Sequence, residues 1–152
     1  MTAAVRQARR ADLPAIVAML ADDVLGQSRE AAGPPLDPAY AEAFAAIARD
    51  PNQFMAVLED DGELIGYLQL TFIPGLSLKG MLRGQIESVR IASSRRGRGF
   101  GHLMLQWAIE ECRRRGCGLV QLAMNKSRED TLRFYQSLGF VASHEGFKLT
   151  LV

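Results

Sequence analysis

Residues 93–101 have the sequence Ser93-Ser94-Arg95-Arg96-Gly97-Arg98-Gly99-Phe100-Gly101. They join a predicted strand, Gln85 to Ala92, to the longest predicted helix, Gly99 to Arg115. The start of a helix presents unpaired backbone N–H groups and the positive end of the helix dipole. The three glycines let the backbone approach a ligand closely, and the three arginines add cationic donors. The segment therefore predicts a site for a multiply charged anion such as a pyrophosphate.

Two common phosphate-binding patterns do not fit this segment. A P-loop needs Gly-Lys followed by Ser or Thr, and the segment has none. The dinucleotide fingerprint needs a third glycine at the position of His102. A surface turn that is rich in Gly and Arg and binds nothing is the alternative interpretation of these residues.

The composition favours one globular domain over residues 1–152. The chain has 18 basic and 17 acidic residues, and this near-neutral balance argues against a nucleic-acid partner. Its two cysteines and two histidines do not form a metal-ligand pattern, so no metal is expected. No apolar run approaches the roughly 20 residues that cross a bilayer, and the N-terminus lacks a leader pattern. We therefore expect a cytoplasmic protein without a membrane partner.

The periodicity of apolar residues predicts a mixed α/β domain. About four helices are predicted on the two faces of a mixed sheet, at Asp12–Leu20, Asp37–Arg49, Gly99–Arg115 and Glu129–Leu138. About seven strands are predicted, at Val5–Ala8, Phe54–Glu59, Leu64–Phe72, Gln85–Ala92, Leu119–Met124, Phe140–Ser143 and Phe147–Leu151. The run Leu119–Met124 is typical of a strand buried on both faces. Asp60-Asp61-Gly62 predicts a hairpin turn.

Two motifs together resemble the GNAT superfamily of acyl-CoA-dependent N-acyltransferases. Arg96-Gly97-Arg98-Gly99-Phe100-Gly101 is similar to its Arg/Gln-x-x-Gly-x-Gly/Ala signature, and Val89-Arg90-Ile91 resembles its fourth strand. Arg133 to Phe140 resembles its Phe-Tyr-x-x-Leu-Gly-Phe motif. The order of elements agrees along the whole chain. The resemblance implies a mostly antiparallel sheet that is splayed between its fourth and fifth strands.

The resemblance also implies acetyl-CoA as co-substrate, with its pantetheine arm between the splayed strands. The Val89 N–H would then face the thioester oxygen, and the Ile91 backbone would pair with the arm. The pyrophosphate would be held by Arg96, Gly97, Arg98, Gly99, Gly101 and His102. Tyr135 would protonate the departing thiolate. Without the family resemblance, its helical spacing alone would indicate a tyrosine that only packs in the core. Many members carry Asn seven residues before that tyrosine, where this chain has Arg128; Asn125 is the candidate substitute.

An amine attacks only when it is neutral, so the reaction needs a base. Glu87 is the preferred candidate, because strand alternation places it on one side with Val89 and Ile91. A carboxylate beside apolar residues should have a raised pKa. The alternatives are a structural Glu87 paired with an arginine, a base at His144, and a bound water.

The acceptor amine, on a small molecule or a protein, is not identified by the sequence. Asp22, Asp23 and Glu30 make one loop partly acidic, which favours a cationic acceptor. That loop and the segment 73–81 are expected to line the acceptor pocket and could also form a homodimer interface. A non-catalytic acyl-CoA-binding regulator and a nucleic-acid-binding regulator are the competing hypotheses.

Overall fold

The computed structural model describes residues 2–23 and 25–152. Its strands are β1 (Ala4–Gln7), β2 (Gln53–Asp60), β3 (Glu63–Ile73), β4 (Arg83–Ile91) and β5 (Leu119–Leu122). Its helices are α1 (Leu13–Ala21), α2 (Gly26–Arg29), α3 (Pro38–Arg49), α4 (Ser77–Gly80), α5 (Phe100–Arg114) and α6 (Glu129–Ser137). Single 3-10 turns lie at Arg10–Asp12 and Ser93–Arg95. No helix in these two ranges combines the length and the apolar character that crossing a membrane requires.

One mixed sheet with the strand order β1-β2-β3-β4-β5 forms the centre of the described chain. The first four strands pair antiparallel, and β5 pairs parallel with β4 after the crossover through α5. The β2–β3 hairpin turns at Asp61 and Gly62, whose φ angles are 51° and 77°. Positive φ at both central residues suits the twist of a two-residue hairpin. The predicted hairpin is confirmed.

Helices cover both faces of the sheet, as predicted for the fold class. On one face, here called the α5 face, Leu68, Leu70 and Ile86 of the sheet pack in one buried cluster with Met104 and Leu105 of α5. On the other, the α1 face, a second buried cluster joins Val57 and Tyr67 of the sheet to Ile16 and Met19 of α1, and Phe44 and Ile47 of α3 pack against it. The mixed α/β class with helices on both faces is therefore confirmed.

The sheet has five strands, so the prediction of about seven is wrong at the C-terminal end. The expected strands Phe140–Ser143 and Phe147–Leu151 do not form, because residues 141–152 leave the domain and lie exposed. The prediction that Leu119–Met124 is buried on both faces is also wrong. β5 ends at Leu122 and is only half-buried, because none of the described strands pairs with its outer edge.

Helix α5 lies close to the sheet at a glycine of β4. A Cβ atom built on Gly84 would collide with the Cys112 sulfur and would lie 3.4 Å from the Cys112 Cβ. Cys112 is fully buried, and burial raises the pKa of its thiol to about 12. Such a thiol is protonated at neutral pH and serves as a small packing residue rather than a nucleophile.

Gly84→Ala should lower the free energy of unfolding by about 1–3 kcal/mol, because the added methyl overpacks a closed contact. Adding Cys112→Ala should recover part of this loss, so that the double variant loses less than the sum of the two single variants. Gly75→Ala is the control, because a Cβ added there would have no atom within 4 Å. Urea unfolding measures the parent and the four variants; equal stability of Gly84→Ala and Gly75→Ala would contradict the close contact.

Candidate active site

Strand β4 and the edge strand β5 diverge and leave a gap between them. They pair over only four positions, from Arg83 with Leu119 to Ile86 with Leu122. Beyond this point β4 continues to Ile91 without a partner in β5. The splay that the family resemblance implied between the fourth and fifth strands is therefore present.

A β-bulge in β4 lies beside this gap. The register with β3 passes from Gln69–Glu87 to Tyr67–Arg90, so Ser88 and Val89 have no partner on β3. Ser88 adopts a φ of 57°, the left-handed conformation that a bulge often requires. Because β5 has also ended, the Val89 backbone is unpaired by either neighbouring strand.

The bulge reverses the alternation of side chains along β4. Ile86 lies in the α5-face cluster, and Val89 and Ile91 pack against the same cluster. Glu87 pairs with Gln69 on the α1 face and is exposed. The prediction that Glu87 shares a side with Val89 and Ile91 is therefore wrong. The apolar surroundings expected around the Glu87 carboxylate are also missing, and the carboxylate accepts a hydrogen bond from Gln85.

Glu87 ends a row of polar side chains that crosses the α1 face. Gln69 donates to Gln53 over 2.9 Å, and Gln121 donates to Gln85 over 2.8 Å. The row was missed in the sequence, although each strand has polar residues between apolar ones there. Tyr67, which we assigned to no site, lies beside the row; burial, aided by the Glu87 charge, raises its pKa to about 12.

The predicted anion-binding turn has the open backbone that its sequence indicated. Gly97 and Gly99 have φ angles of 77° and 85°, and a Cβ added to either would have no atom within 4 Å. The bond from the Leu103 N–H to the Gly99 carbonyl opens α5. The preceding N–H groups, from Phe100 to His102, have no acceptor within the helix and point outward from its positive end.

The arginines of this turn differ in what they contact. Arg95 donates to Asp60 over 2.8 Å and to Glu63 over 2.7 Å, so its charge is neutralised by the β2–β3 hairpin. Arg96 donates to the carbonyls of Ile91 (3.2 Å) and Asp22 (3.4 Å) and connects the end of β4 to the end of α1. Arg98 is exposed and makes no ion pair among residues 2–23 and 25–152. The expectation that all three supply free cationic donors is therefore wrong for Arg95.

The turn also connects to the N-terminal end of the chain through Asp60. The Thr2 hydroxyl lies 2.7 Å from Asp60 and 2.9 Å from Asp61. The hydrogen bond from Thr2 and, next to it, the one from Arg95 lower the pKa of Asp60. Thr2, the hairpin and the anion-binding turn thus form one connected polar unit.

Helix α6 brings Tyr135 to the α5 side of the gap. The α5–α6 contact is close, because a Cβ added to Gly101 would lie 3.4 Å from the Phe134 ring, and His102 meets the same ring edge-on at 5.3 Å. Tyr135 packs against the α5-face cluster and makes an edge contact with Phe140 at 5.8 Å. Burial raises its pKa, and the positive charges of Arg90 and Arg128 oppose that rise.

Two further predicted residues lie outside the gap. Asn125 is exposed, and its side-chain oxygen accepts from the N–H (3.0 Å) and hydroxyl (2.7 Å) of Ser127. It therefore closes its own turn after β5. His144 is exposed on the C-terminal segment and contacts Ser143, so it is not among the residues that the gap brings together.

A charged cluster closes the α1 side of the gap, and the sequence did not predict it. The same Asp23 oxygen lies 2.9 Å from Arg128 and 3.4 Å from Arg90. Burial raises the pKa of Asp23, but the Gly26 N–H and Arg128 outweigh it and leave that pKa lowered. The Glu30 carboxylate accepts from the Tyr40 hydroxyl at 2.9 Å. Since Asp23 is engaged by two arginines, its charge is not free to attract a cationic acceptor.

An open cleft adjoins the anion-binding turn. It has a volume of about 400 Å³ and lies between the end of α1, the loop at Ala32, and Ala92 and Ser93 after β4. Clefts of this size hold small ligands. The cleft thus reaches the anion-binding turn at Ser93 and the end of β4 at Ala92.

Comparison with known proteins places the chain among acetyltransferases. The model of the acetyltransferase (GNAT) family matches residues 2–140. The chain is 33% identical to the aminoalkylphosphonate N-acetyltransferase of Salmonella typhimurium, over 74% of this chain and 73% of that protein. It is 31% identical to the glucosamine 6-phosphate N-acetyltransferase of Trypanosoma brucei brucei, over 85% and 86%. A solved structure described as a transcriptional regulator from Bacillus halodurans C-125 is 46% identical, with a TM-score of 0.96 over 98% of this chain and 99% of that chain.

Gly99→Glu should weaken acetyl-CoA binding by at least about tenfold, because a carboxylate would stand where the turn leaves room for an anion. Gly116→Glu is the control. Gly116 lies at the other end of α5, has a φ of 83°, and likewise would have no atom within 4 Å of an added Cβ. Both variants then carry similar backbone strain and the same charge, and calorimetry measures affinity. Equal affinities in the two folded variants would contradict the anion site.

Proposed function

Because the chain belongs to the GNAT family of acetyltransferases, we propose that it transfers the acetyl group of acetyl-CoA to the primary amine of a small molecule that also carries an acidic group. The gap between β4 and β5, which opens beside the anion-binding turn, is the observation that carries this proposal. The proposed mechanism is direct attack by the amine in a ternary complex.

The residues of the turn fit the phosphates of acetyl-CoA. The outward N–H groups from Phe100 to His102 would bind the pyrophosphate, with Arg98 as the free cation and Gly97 and Gly99 leaving the space open. Arg96 donates to the Ile91 and Asp22 carbonyls, so its main proposed role is to orient the turn, and contact with the phosphates would be an additional one. The bound co-substrate supplies an acetyl thioester, which is already activated toward an amine.

The backbone at the bulge could stabilise the negative charge that develops on the thioester oxygen when the amine attacks. Val89 has no pairing partner on β3 or β5, so its N–H is the proposed donor to the thioester oxygen. A donor fixed by the bulge needs no reorganisation during the reaction. Ile91, two residues further along the strand, would pair with the pantetheine arm along the unpaired half of β4.

Tyr135 is the proposed acid that protonates the departing thiolate. A phenol is protonated at neutral pH, and burial raises the pKa of Tyr135 further, while the nearby charges of Arg90 and Arg128 favour release of the proton. It lies on the α5 side of the gap. Its hydroxyl can therefore act without blocking the α1 face.

Glu87 remains the proposed base, acting from the opposite face of the sheet. Its exposed carboxylate ends the polar row on the α1 face, next to the bulge. An amine approaching along this row would meet Glu87, directly or through water, before it reaches the gap. The acetyl donor and the amine would then enter from opposite faces.

The acidic group of the acceptor is inferred from the cluster at Asp23. Arg90 and Arg128 share one carboxylate, and the Arg90 Nε is buried without a hydrogen-bond partner in the described chain. Guanidinium groups suit phosphate and phosphonate oxygens. Two relatives are named for an aminoalkylphosphonate and for glucosamine 6-phosphate, and both compounds combine an amine with such a group.

The competing regulators receive less support from the structure. The three arginines that follow one another at the end of α5 are engaged: Arg113 and Arg114 pair with glutamates one turn earlier, and Arg115 lies 4.2 Å above the Phe72 ring. A module that only binds acyl-CoA needs neither the polar row nor an acid at Tyr135.

Release of CoA thiol in the presence of matched amines tests this function. We expect glucosamine 6-phosphate to react with at least about tenfold higher kcat/KM than glucosamine, and aminomethylphosphonate to exceed methylamine. Arg128→Gln should reduce these ratios, whereas Arg113→Gln, at an exposed site on α5, should not. Equal rates within each pair would contradict the acidic group, and no release with any amine would support the binding module.

Tyr135→Phe should lower turnover by about tenfold to a thousandfold, because only the proton donor is lost. Acetyl-CoA affinity should change little, since the ring and its packing remain. Tyr40→Phe removes a different hydroxyl, which bonds the Glu30 carboxylate and the Ala31 N–H, and should keep parental turnover. Single-turnover kinetics with one acceptor compare the three proteins. A Tyr135→Phe variant with parental turnover would make Tyr135 a packing residue.

A further inference from the structure

Tyr67 of β3 is a buried tyrosine whose hydroxyl has no hydrogen-bond partner in the described chain. The residue is 4% exposed, and its ring packs with Val57 and Met19 in the α1-face cluster. The polar row bonds within itself, as Gln69 does to Gln53, and does not include the Tyr67 hydroxyl. A buried tyrosine hydroxyl usually has a partner, because leaving it without one costs free energy. The exception at Tyr67 therefore indicates a partner that comes from outside the chain.

The strand register places Tyr67 between the two groups that the proposed function assigns to the acceptor. Tyr67 pairs directly with Arg90 on β4, and Gln69, the next residue on the same face of β3, pairs with Glu87. Burial, and after it the charge of Glu87, raises the pKa of Tyr67 to about 12. The phenol therefore lies near the proposed base and stays neutral at physiological pH.

Arg90 faces the same side of the sheet as Tyr67. Its neighbours Val89 and Ile91 pack against the α5-face cluster, and its own guanidinium lies 3.4 Å from Asp23 at the end of α1. The Arg90 Nε is buried and has no hydrogen-bond partner in the described chain. Two polar groups without a partner thus stand on directly paired residues, and a single ligand that enters there would satisfy both.

The cluster that holds Tyr67 also borders the open cleft. Met19 belongs to this cluster and Ala92 packs against it, and both residues line the cleft of about 400 Å³. A small molecule in the cleft therefore lies against the residues that surround the tyrosine ring.

We propose that the Tyr67 hydroxyl binds the amine nitrogen of the acceptor and holds it between Glu87 and the guanidinium group of Arg90. This inference rests on the proposed function and adds the group that fixes the reacting atom. In aminomethylphosphonate one carbon separates the nitrogen from the phosphorus, so an amine whose phosphonate meets Arg90 lies close to the residue paired with Arg90. Holding a nucleophile in the attacking orientation lowers the barrier to reaction.

Tyr67 keeps its own proton during the transfer. Before the attack the ammonium gives one proton to Glu87, directly or through water. The nitrogen lone pair then forms the bond to the acetyl carbon, and the carbon–sulfur bond breaks. A second proton leaves the nitrogen and the thiolate takes one from Tyr135, so each transfer releases one proton overall. Tyr67 accepts a hydrogen bond from the N–H that stays on the nitrogen from the amine to the amide product.

Tyr67→Phe tests this role, with Tyr40→Phe as the matched control. Both variants remove one phenolic oxygen, but the Tyr40 hydroxyl bonds Glu30 and Ala31 within the chain. We expect Tyr67→Phe to keep or raise the free energy of unfolding in urea, and to lower kcat/KM for the amine by at least about tenfold. Tyr40→Phe should show the opposite pattern, with lower stability and parental kinetics.

A pair of acceptors separates the amine from the acidic group. Tyr67→Phe should lower kcat/KM for glucosamine 6-phosphate and for glucosamine by the same factor, because both carry the same amine, whereas Arg128→Gln should affect mainly the first. A loss confined to the phosphorylated acceptor, parental kinetics in Tyr67→Phe, or a loss of stability like that of Tyr40→Phe would each overturn the inference and leave the proposed function standing. A parent protein that releases no CoA with any amine would overturn the proposed function, and this inference with it.

Discussion

The divergence of β4 and β5 is the constraint on which the rest of the molecule depends. A parallel connection needs a crossover helix, and α5 holds β5 against β4 where Gly84 lets the helix approach the sheet. The pairing of the two strands ends at Ile86, and the bulge at Ser88 follows directly in β4. The same crossover places the N-terminus of α5 at the end of the opening. The bulge, the end of the β4–β5 pairing and the proposed anion-binding turn therefore lie together along one stretch of β4 and the start of α5.

Most of the charged side chains at these sites hold segments of the chain together. Arg95 binds the hairpin, Arg96 binds two backbone carbonyls, and Arg115 stacks on Phe72. This explains how a near-neutral protein can carry dense arginine clusters without a general basic surface. The exceptions are informative: Arg98 at the turn, and the pair Arg90 and Arg128 that share Asp23.

Features that depend on local sequence were predictable, and those that depend on long-range pairing were not. The hairpin at Gly62, the helix after Gly99 and the fold class follow from turn chemistry and periodicity, and they agree with the structure. The side of the sheet on which Glu87 lies could not be predicted, because a bulge at a serine breaks the alternation without a glycine to mark it. The roles of Arg95 and Asp23 depend on partners far along the chain. The prediction of strands at Phe140–Ser143 and Phe147–Leu151 was wrong for a different reason. Their sequence has strand character, but none of the described strands pairs with them.

The contact of Thr2 with Asp60 has a practical consequence for handling the protein. Asp60 also holds Arg95, so the first described residue lies a single carboxylate away from the anion-binding turn. A purification tag or fusion partner joined to the N-terminus would emerge close to the proposed co-substrate site. Its own acidic or basic residues would then compete for Asp60 and Arg95. Kinetic work on this enzyme is therefore best done after an N-terminal tag has been removed.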